Sequence, residues 1–164
     1  MKRAERAPRR SDCPLHAALD MVGDRWSLLV VRDLMLFGRQ TFKAFLEGGE
    51  CIATNVLADR LRRLERLAIV ARVPDPDDGR RTLYRLTAKG MDLAPVLIEL
   101  VLWAARHEET GAPRELLDEM QHRRASFLAR LRKQWQEQSA PAAEPAAAAR
   151  RSPRKSRARR AGAR

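Results

Sequence analysis

The chain is short of several things, and each shortage narrows what it can be. It has two cysteines in 164 residues, Cys13 and Cys51. That is too few for a disulfide framework, and neither stands at zinc-finger spacing from a histidine. No run approaches the ~18 consecutive apolar residues that a membrane span needs. The opening Met1-Lys2-Arg3-Ala4-Glu5-Arg6 is basic, but no apolar stretch follows it, which argues against a secretory signal. The three histidines, His16, His107 and His122, do not cluster with carboxylates at metal-ligand spacing, so core or surface roles are expected of them. No nucleophile motif, phosphate loop or dinucleotide fingerprint is present. These absences predict a protein that is not an enzyme, with no catalytic residues, no metal, no cofactor and no membrane partner, in a reducing cytoplasm.

What the chain does have is positive charge, unevenly placed. The formal net charge is +12. Residues 139–164 carry eight Lys/Arg against Glu144, a net +7, and residues 1–12 carry five against Glu5 and Asp12, a net +3. Only +2 is left for residues 13–138. The length suits one domain of ordinary size plus tails. Residues 1–12 read as a disordered basic arm. Residues 139–164 read as a disordered Arg/Ala/Pro-rich tail. Such tails attract any polyanion and by themselves do not separate DNA from RNA or an acidic membrane.

Between the tails the apolar spacing is helical. Pro14 suits a first helical position, Leu15, Ala18, Leu19 and Val22 recur at helical steps, and Gly23 ends the run. A second helix is expected from Asp24 or Arg25 to Phe37, burying Trp26, Leu29, Val30, Leu34 and Phe37. A short third, over Gln40–Leu46 and opened by a minimal strand, stops at Gly48-Gly49. On the next helix, 54–67, Leu57, Leu61, Leu64 and Ala68 line one face, while Asn55, Asp59, Arg62 and Arg66 occupy the other, with Ala58 and Arg63 at its borders. Val70–Val73 and Thr82–Thr87 flank Pro74-Asp75-Pro76-Asp77-Asp78-Gly79-Arg80-Arg81 and read as a charged hairpin. Thr87 is placed to cap a long helix through His107, in which Pro95 marks a bend or an effective start. Its apolar set (Leu93, Val96, Leu97, Leu100, Val101, Trp103 and Ala104) covers more than one face, which favours burial against a second subunit. Residues 113–138 predict one additional amphipathic helix carrying Leu116, Leu117, Met120, Phe127, Leu128, Leu131 and Trp135.

A basic helix leading into an arginine-tipped ribbon fits a mainly α winged helix-turn-helix with a small β-hairpin. The helix would enter a major groove of double-stranded DNA, and the ribbon tip would reach the neighbouring backbone or minor groove. Asn55 can pair bidentately with adenine and Arg62 with guanine, each worth ~1–3 kcal/mol of discrimination. Thr54 is placed for a phosphate or a thymine methyl. Asp59 either accepts from a cytosine amino group or holds Arg62 or Arg63. Arg63, Arg66, Arg80 and Arg81 suit phosphates or a minor groove, whereas Arg72 and Arg85 on the strands are expected to face solvent. Alone, the same charges would suit an ordinary solvated helix face; their order along the chain is what favours DNA.

Cys13-Pro14-Leu15-His16-Ala17-Ala18-Leu19-Asp20, with Gly23, Trp26 and Arg32-Asp33-Leu34, resembles the opening of HxlR-type bacterial transcription regulators. The likeness continues through Phe42, Ile52, Val56-Leu57, Arg60-Leu61 and Leu64-Glu65, then Tyr84-Arg85-Leu86-Thr87 and Gly90. It covers residues 13–106 and implies a winged-helix domain over 13–110 that dimerises through its terminal helices. Three departures stand out. Ala53 takes the place of the family's usual capping serine, leaving Thr54 to cap. The wing tip is closer to the Asp/Arg wing of the related MarR family. The helix past 113 and the tail lie beyond the family's usual end. Some HxlR-type proteins sense oxidants or electrophiles through a cysteine at the position of Cys13. A helix N-terminus near Arg9 and Arg10 suits a reactive thiolate there, the bland alternative being a small residue under the dimer. Cys51, before the recognition helix, is a weaker candidate. The resemblance implies a bacterial, nucleoid-associated regulator, more a repressor than an activator, with a small-molecule or electrophile effector. The competing expectation is an architectural, nucleoid-associated DNA-binding protein dominated by its basic tail.

Overall fold

The computed structural model describes residues 11–139. Most of the expected N-terminal arm, and the tail from residue 140, lie outside the described residues. The elements run α1 (Pro14–Val22), α2 (Arg25–Leu36), α3 (Phe42–Leu46), α4 (Thr54–Arg66), β1 (Val70–Pro74), β2 (Thr82–Leu86), α5 (Ala88–Met91), α6 (Ala94–His107), α7 (Arg114–His122) and α8 (Arg124–Ser139). The strands pair antiparallel, from Val70 opposite Leu86 to Pro74 opposite Thr82. This is a winged helix-turn-helix, with α3 and α4 as the helix-turn-helix and β1–β2 as the wing.

One apolar cluster holds it together. Val30, Val31 and Leu34 of α2 meet Leu57, Leu61 and Leu64 of α4, Ile69, Val70 and Leu86 at the wing base, and Leu97, Ile98 and Leu102 of α6. Met120, Phe127 and Leu131 join it from α7 and α8. The helix starts are made locally. The Asp24 carboxylate accepts the Trp26 and Ser27 amides at 3.1 and 3.0 Å and opens α2. The Thr41 hydroxyl accepts the Ala44 amide at 3.1 Å and opens α3. Before α3 the expected minimal strand is reduced to one bond, the Tyr84 amide donating to the Gln40 carbonyl at 2.7 Å.

Several expectations need correcting. The long helix after the wing is two: Thr87 caps only the short α5, and α6 starts anew with Pro95 in its first turn, where a missing N–H costs nothing. The expected single helix past 113 breaks at Arg123, whose backbone (φ −121, ψ 32) leaves the helical region. Phe37 is not buried; it ends α2 and is 55% exposed, with the Arg32 and Arg39 guanidinium groups 5.3 and 4.7 Å from its ring centre. Thr54 does not cap α4, because Ala53 holds that position and no side chain accepts there. Ala68 does not join the leucine face. It is exposed just past the end of α4 at φ +53, where the Ile69 amide closes back on the Leu64 carbonyl at 2.9 Å.

That left-handed position is one where a Cβ is penalised and glycine is not. Ala68→Gly is therefore expected to raise unfolding stability by about 1 kcal/mol, read as a higher urea midpoint at unchanged slope. A lower midpoint would show that the turn is held by something other than backbone conformation.

Candidate nucleic-acid interface

The interface is built from the buried side of α4 outward. Leu57, Leu61 and Leu64 are at most 2% exposed. The helix is thereby oriented so that Thr54, Asn55, Asp59, Arg62 and Arg66 are exposed and Ala58 is half-buried at the border. Burying three leucines is worth about 2 kcal/mol each, whereas changing a solvated polar residue is usually worth less than ±0.5 kcal/mol. The apolar face therefore decides the orientation, and the polar face is left free for a partner.

Both ends of α4 are tied down. Near its middle, Arg60 reaches the Asp24 carboxylate at 3.5 Å, joining α4 to the start of α2. The Lys89 ammonium donates to the Leu67 carbonyl at 2.7 Å and the Thr87 hydroxyl to the Ala68 carbonyl at 2.6 Å, satisfying the helix exit. Gly90 is required here, since a Cβ on it would lie 2.2 Å from the Ile69 carbonyl oxygen. Upstream, Asp33 is nearly buried between Arg32 at 2.6 Å and Arg39 at 3.1 Å, and Arg32 also holds Glu50 at 2.8 Å. This network fixes the loop that leads to α4. Arg32, Asp33, Arg60, Thr87 and Gly90 stand out in the sequence as part of the family resemblance, and Thr87 also as a helix cap, but their part in holding α4 is not legible there; Arg39, Glu50 and Lys89 give no signal.

The predicted site residues do not all stand alike. Arg62 and Arg66 are exposed and, among the described residues, neither makes an ion pair. Asp59 pairs with Arg60 at 3.5 Å, not with Arg62 or Arg63. The Arg63 guanidinium donates to the Asp20 carbonyl at the end of α1, so its charge is turned away from the exposed face. Arg72 is exposed 6.0 Å from the Tyr84 ring centre, as expected of a strand arginine, but Arg85 is half-buried in a crevice beside Trp135 and Gln134 of α8. At the wing tip the aspartates serve the turn. Asp75 accepts the Asp77 amide at 3.0 Å and Asp78 the Arg80 amide at 3.1 Å. Arg80 and Arg81 are exposed beyond them, with Arg81 only loosely paired to Asp78 at 4.0 Å. Asn55 and Arg62 thus share one open face with Arg66, while Arg80 and Arg81 stand apart on the wing. Cys13 is exposed as the cap residue of α1 and Cys51 is exposed in the loop before α4; both are free thiols.

A basic helix presented this way beside a short antiparallel wing defines the winged-helix class of DNA-binding regulator. Residues 21–112 match the HxlR-like helix-turn-helix family. The chain belongs to that family. It is 36% identical over 100 residues to the HTH-type transcriptional regulator YodB of Bacillus subtilis, covering 60% of this chain and 88% of YodB. Among solved structures it resembles PA1607 (35% identity, 63% of this chain and 71% of that one, TM-score 0.57). It also resembles the redox regulator HypR in its oxidized form (26% identity, 60% and 100%, TM-score 0.54). The protein is therefore a DNA-binding transcriptional regulator of HxlR type. No helix among the described residues is long and apolar enough to cross a membrane.

Asp24 gives this interface a pH dependence. Partial burial by itself would raise its pKa. The Ser27 hydroxyl, the Ser27 and Trp26 amides and Arg60 outweigh that and hold it below the ordinary carboxylate value. A depressed folded-state pKa means that the ionised contacts stabilise the fold above the unfolded value, near pH 4, and are lost as pH falls through the lower folded value. Asp24→Ala is expected to cost about 1–2 kcal/mol at pH 7 and to remove part of the acid destabilisation below about pH 4. Urea melts at pH 7 and pH 3 check both; an equal loss at the two pH values would mean the carboxylate charge is not what matters.

Proposed function

We propose that the protein acts as a homodimeric repressor on a near-palindromic operator, with α4 in successive major grooves and each wing on the adjacent backbone or minor groove. The observation that carries this is the split face of α4: leucines buried, Asn55 and Arg62 exposed on the other side. In this reading Asn55 and Arg62 read base edges, and Thr54, Ala58 and Asp59 line the same contact. Arg66, Arg80 and Arg81 meet phosphates, and Arg63, held at α1, adds only long-range field. The domain runs over 13–110, with 113–138 added to it.

The dimer reading rests on apolar side chains left open on the terminal helices. Leu15 and Leu19 lie one turn apart on α1, and Val96, Leu100 and Trp103 form a stripe on α6 in which Trp103 is 58% exposed. A monomer would hold this stripe in water; a second copy removes it. Effector response is assigned to Cys13, exposed at a helix start, in keeping with the redox regulation named for HypR.

Three outcomes test this. Arg62→Ala should cost about 10- to 100-fold on the preferred operator and relax base preference in a random-pool selection, whereas Arg81→Ala should weaken all duplexes alike and flatten the salt slope by about one unit. If both leave operator affinity unchanged, α4 and the wing are not the reading head. Trp103→Glu should shift the protein to monomer in sedimentation and abolish protection of the second half-site; an unchanged dimer would place the interface elsewhere. Quinone or peroxide treatment should change operator release in the wild type but not in Cys13→Ser, and an identical response in both would end the sensing assignment.

A further inference from the structure

Between α2, β2 and α8 lies a recess in two parts. Leu34, Met35, Arg85, Leu131 and Trp135 wall its inner crevice, and Met35, Leu36, Gln134 and Gln138 its outer groove. Met35, Gln134 and Gln138 belong to both, so the two are continuous. The family match ends at residue 112, so the wall made by α8 comes from a part of the chain that the match does not reach. Neither thiol lines the recess, and neither do Val96, Leu100 and Trp103 of the exposed α6 stripe.

Arg85 marks this recess as a site. Its Nε–H is buried and, among the described residues, has no acceptor. Nor does its guanidinium pair with a carboxylate among them. The oxygens around it already accept other donors. The Leu86 carbonyl takes the Trp135 indole N–H at 2.7 Å, the Gln138 side chain takes the Gln40 amide at 3.0 Å, and the Gln40 carbonyl takes the Tyr84 amide at 2.7 Å. A buried donor on a cation calls for an acceptor, and an anionic oxygen is the strongest one.

Size and charge define what fits. The inner crevice holds about 20 Å³, enough for one water-sized oxygen and too little for a ring. The outer groove holds about 410 Å³ and is open to solvent, within the size range of small-molecule sites. A ligand therefore enters head first, an anionic oxygen towards Arg85 and an apolar body over Met35 and Leu36. Exposed Glu137 stands at the rim, 4.0 Å from Lys133, and disfavours a second negative charge at the outer end. A phosphate, with three oxygens and nearly two charges, suits the narrow end less well than a carboxylate. We propose that the recess between α2, β2 and α8 is an effector site for a small amphipathic monocarboxylate held by Arg85. Arg85 lies on the wing, opposite Ala71 of β1, and Gln40 leads into α3, so the occupant bears on the wing and the helix-turn-helix together. Binding stands by itself; its effect on DNA rests on the docking of α4 and the wing proposed above.

The test titrates the full chain with benzoate, indoleacetate and octanoate, and with benzamide as the uncharged control. Calorimetry reads binding, and the indole N–H resonance of Trp135, assigned with Trp135→Phe, reads its place. At least one carboxylate should bind at millimolar concentration or below and move that resonance, and benzamide should not. Arg85→Gln should weaken binding about 10- to 100-fold. Gln134→Glu, at an exposed position, should weaken it too by placing a fixed carboxylate at the mouth, and it carries the test if Arg85→Gln lowers the urea midpoint. The bound carboxylate should change operator affinity in wild type and leave it unchanged in Arg85→Gln. The proposal is overturned if none of the carboxylates binds, if benzamide binds as well as benzoate, or if both variants bind like wild type. Binding that leaves operator affinity unmoved would equally overturn the effector role. Arg62→Ala, assayed without ligand, reports on the docking of α4 by itself, so a failure of that reading is distinguishable from a failure of this site.

Discussion

The interface depends first on the burial of Leu57, Leu61 and Leu64 against α2 and the wing base. A thirteen-residue helix carrying four arginines would be marginal alone in water, and nothing in its charges says which way it should face. The leucine stripe supplies the orientation, and the polar groups at either end supply the register. The Asp24–Arg60 pair is partly solvated and contributes modestly as a salt bridge. Its larger consequence is geometric: it couples the cap of α2 to the middle of α4, so rotation of the recognition helix would have to break a cap as well as an ion pair. At the other end Lys89, Thr87 and Gly90 hold the exit of α4 against the start of α5. Asn55 and Arg62 owe their position to groups that touch no ligand.

The wing shows the same division between groups that shape and groups that contact. Three aspartates on a loop proposed to face DNA would be electrostatically unfavourable, and charge counting alone would mark the tip as a poor contact. In the structure Asp75 and Asp78 spend their oxygens on backbone amides of the tip, which keeps the turn tight and leaves Arg80 and Arg81 outermost. Carboxylates that accept backbone N–H groups present less unsatisfied negative charge than their number suggests.

Much of this was legible in the sequence, for reasons that can be named. The split of α4 into leucine and arginine faces follows from 3.6-residue periodicity, and the hairpin from a Pro/Asp/Gly cluster between alternating strands. The winged-helix class followed from their order. What failed was everything set by one backbone dihedral or one long-range bond. Ala68 fits the apolar periodicity, but the helix ends at Arg66 and Ala68 itself takes the left-handed conformation of the turn that follows. Arg63 reads as a border cation, yet the Asp20 carbonyl, 43 residues away in sequence, takes its donors. Arg123 has no residue-level signal for breaking the last helix in two; the break lets Met120 and Phe127 both reach the core. Periodicity could not link Trp135 to the wing or Gln138 to the approach to α3, because their partners are the Leu86 carbonyl and Gln40, 49 and 98 residues upstream.

The distribution of charge sets how such a protein divides affinity from specificity. A folded region with a formal +2 cannot hold DNA tightly by counterion release alone, since each phosphate neutralised contributes only about one unit of salt slope. Its few exposed arginines are better suited to choosing among sequences than to adhering to all of them. The basic segments at the two ends, +3 and +7, have the opposite character: abundant charge of one sign within a short stretch of sequence. A chain that kept these functions on separate surfaces could change its residence on DNA through salt or competing polyanions without altering which site it prefers.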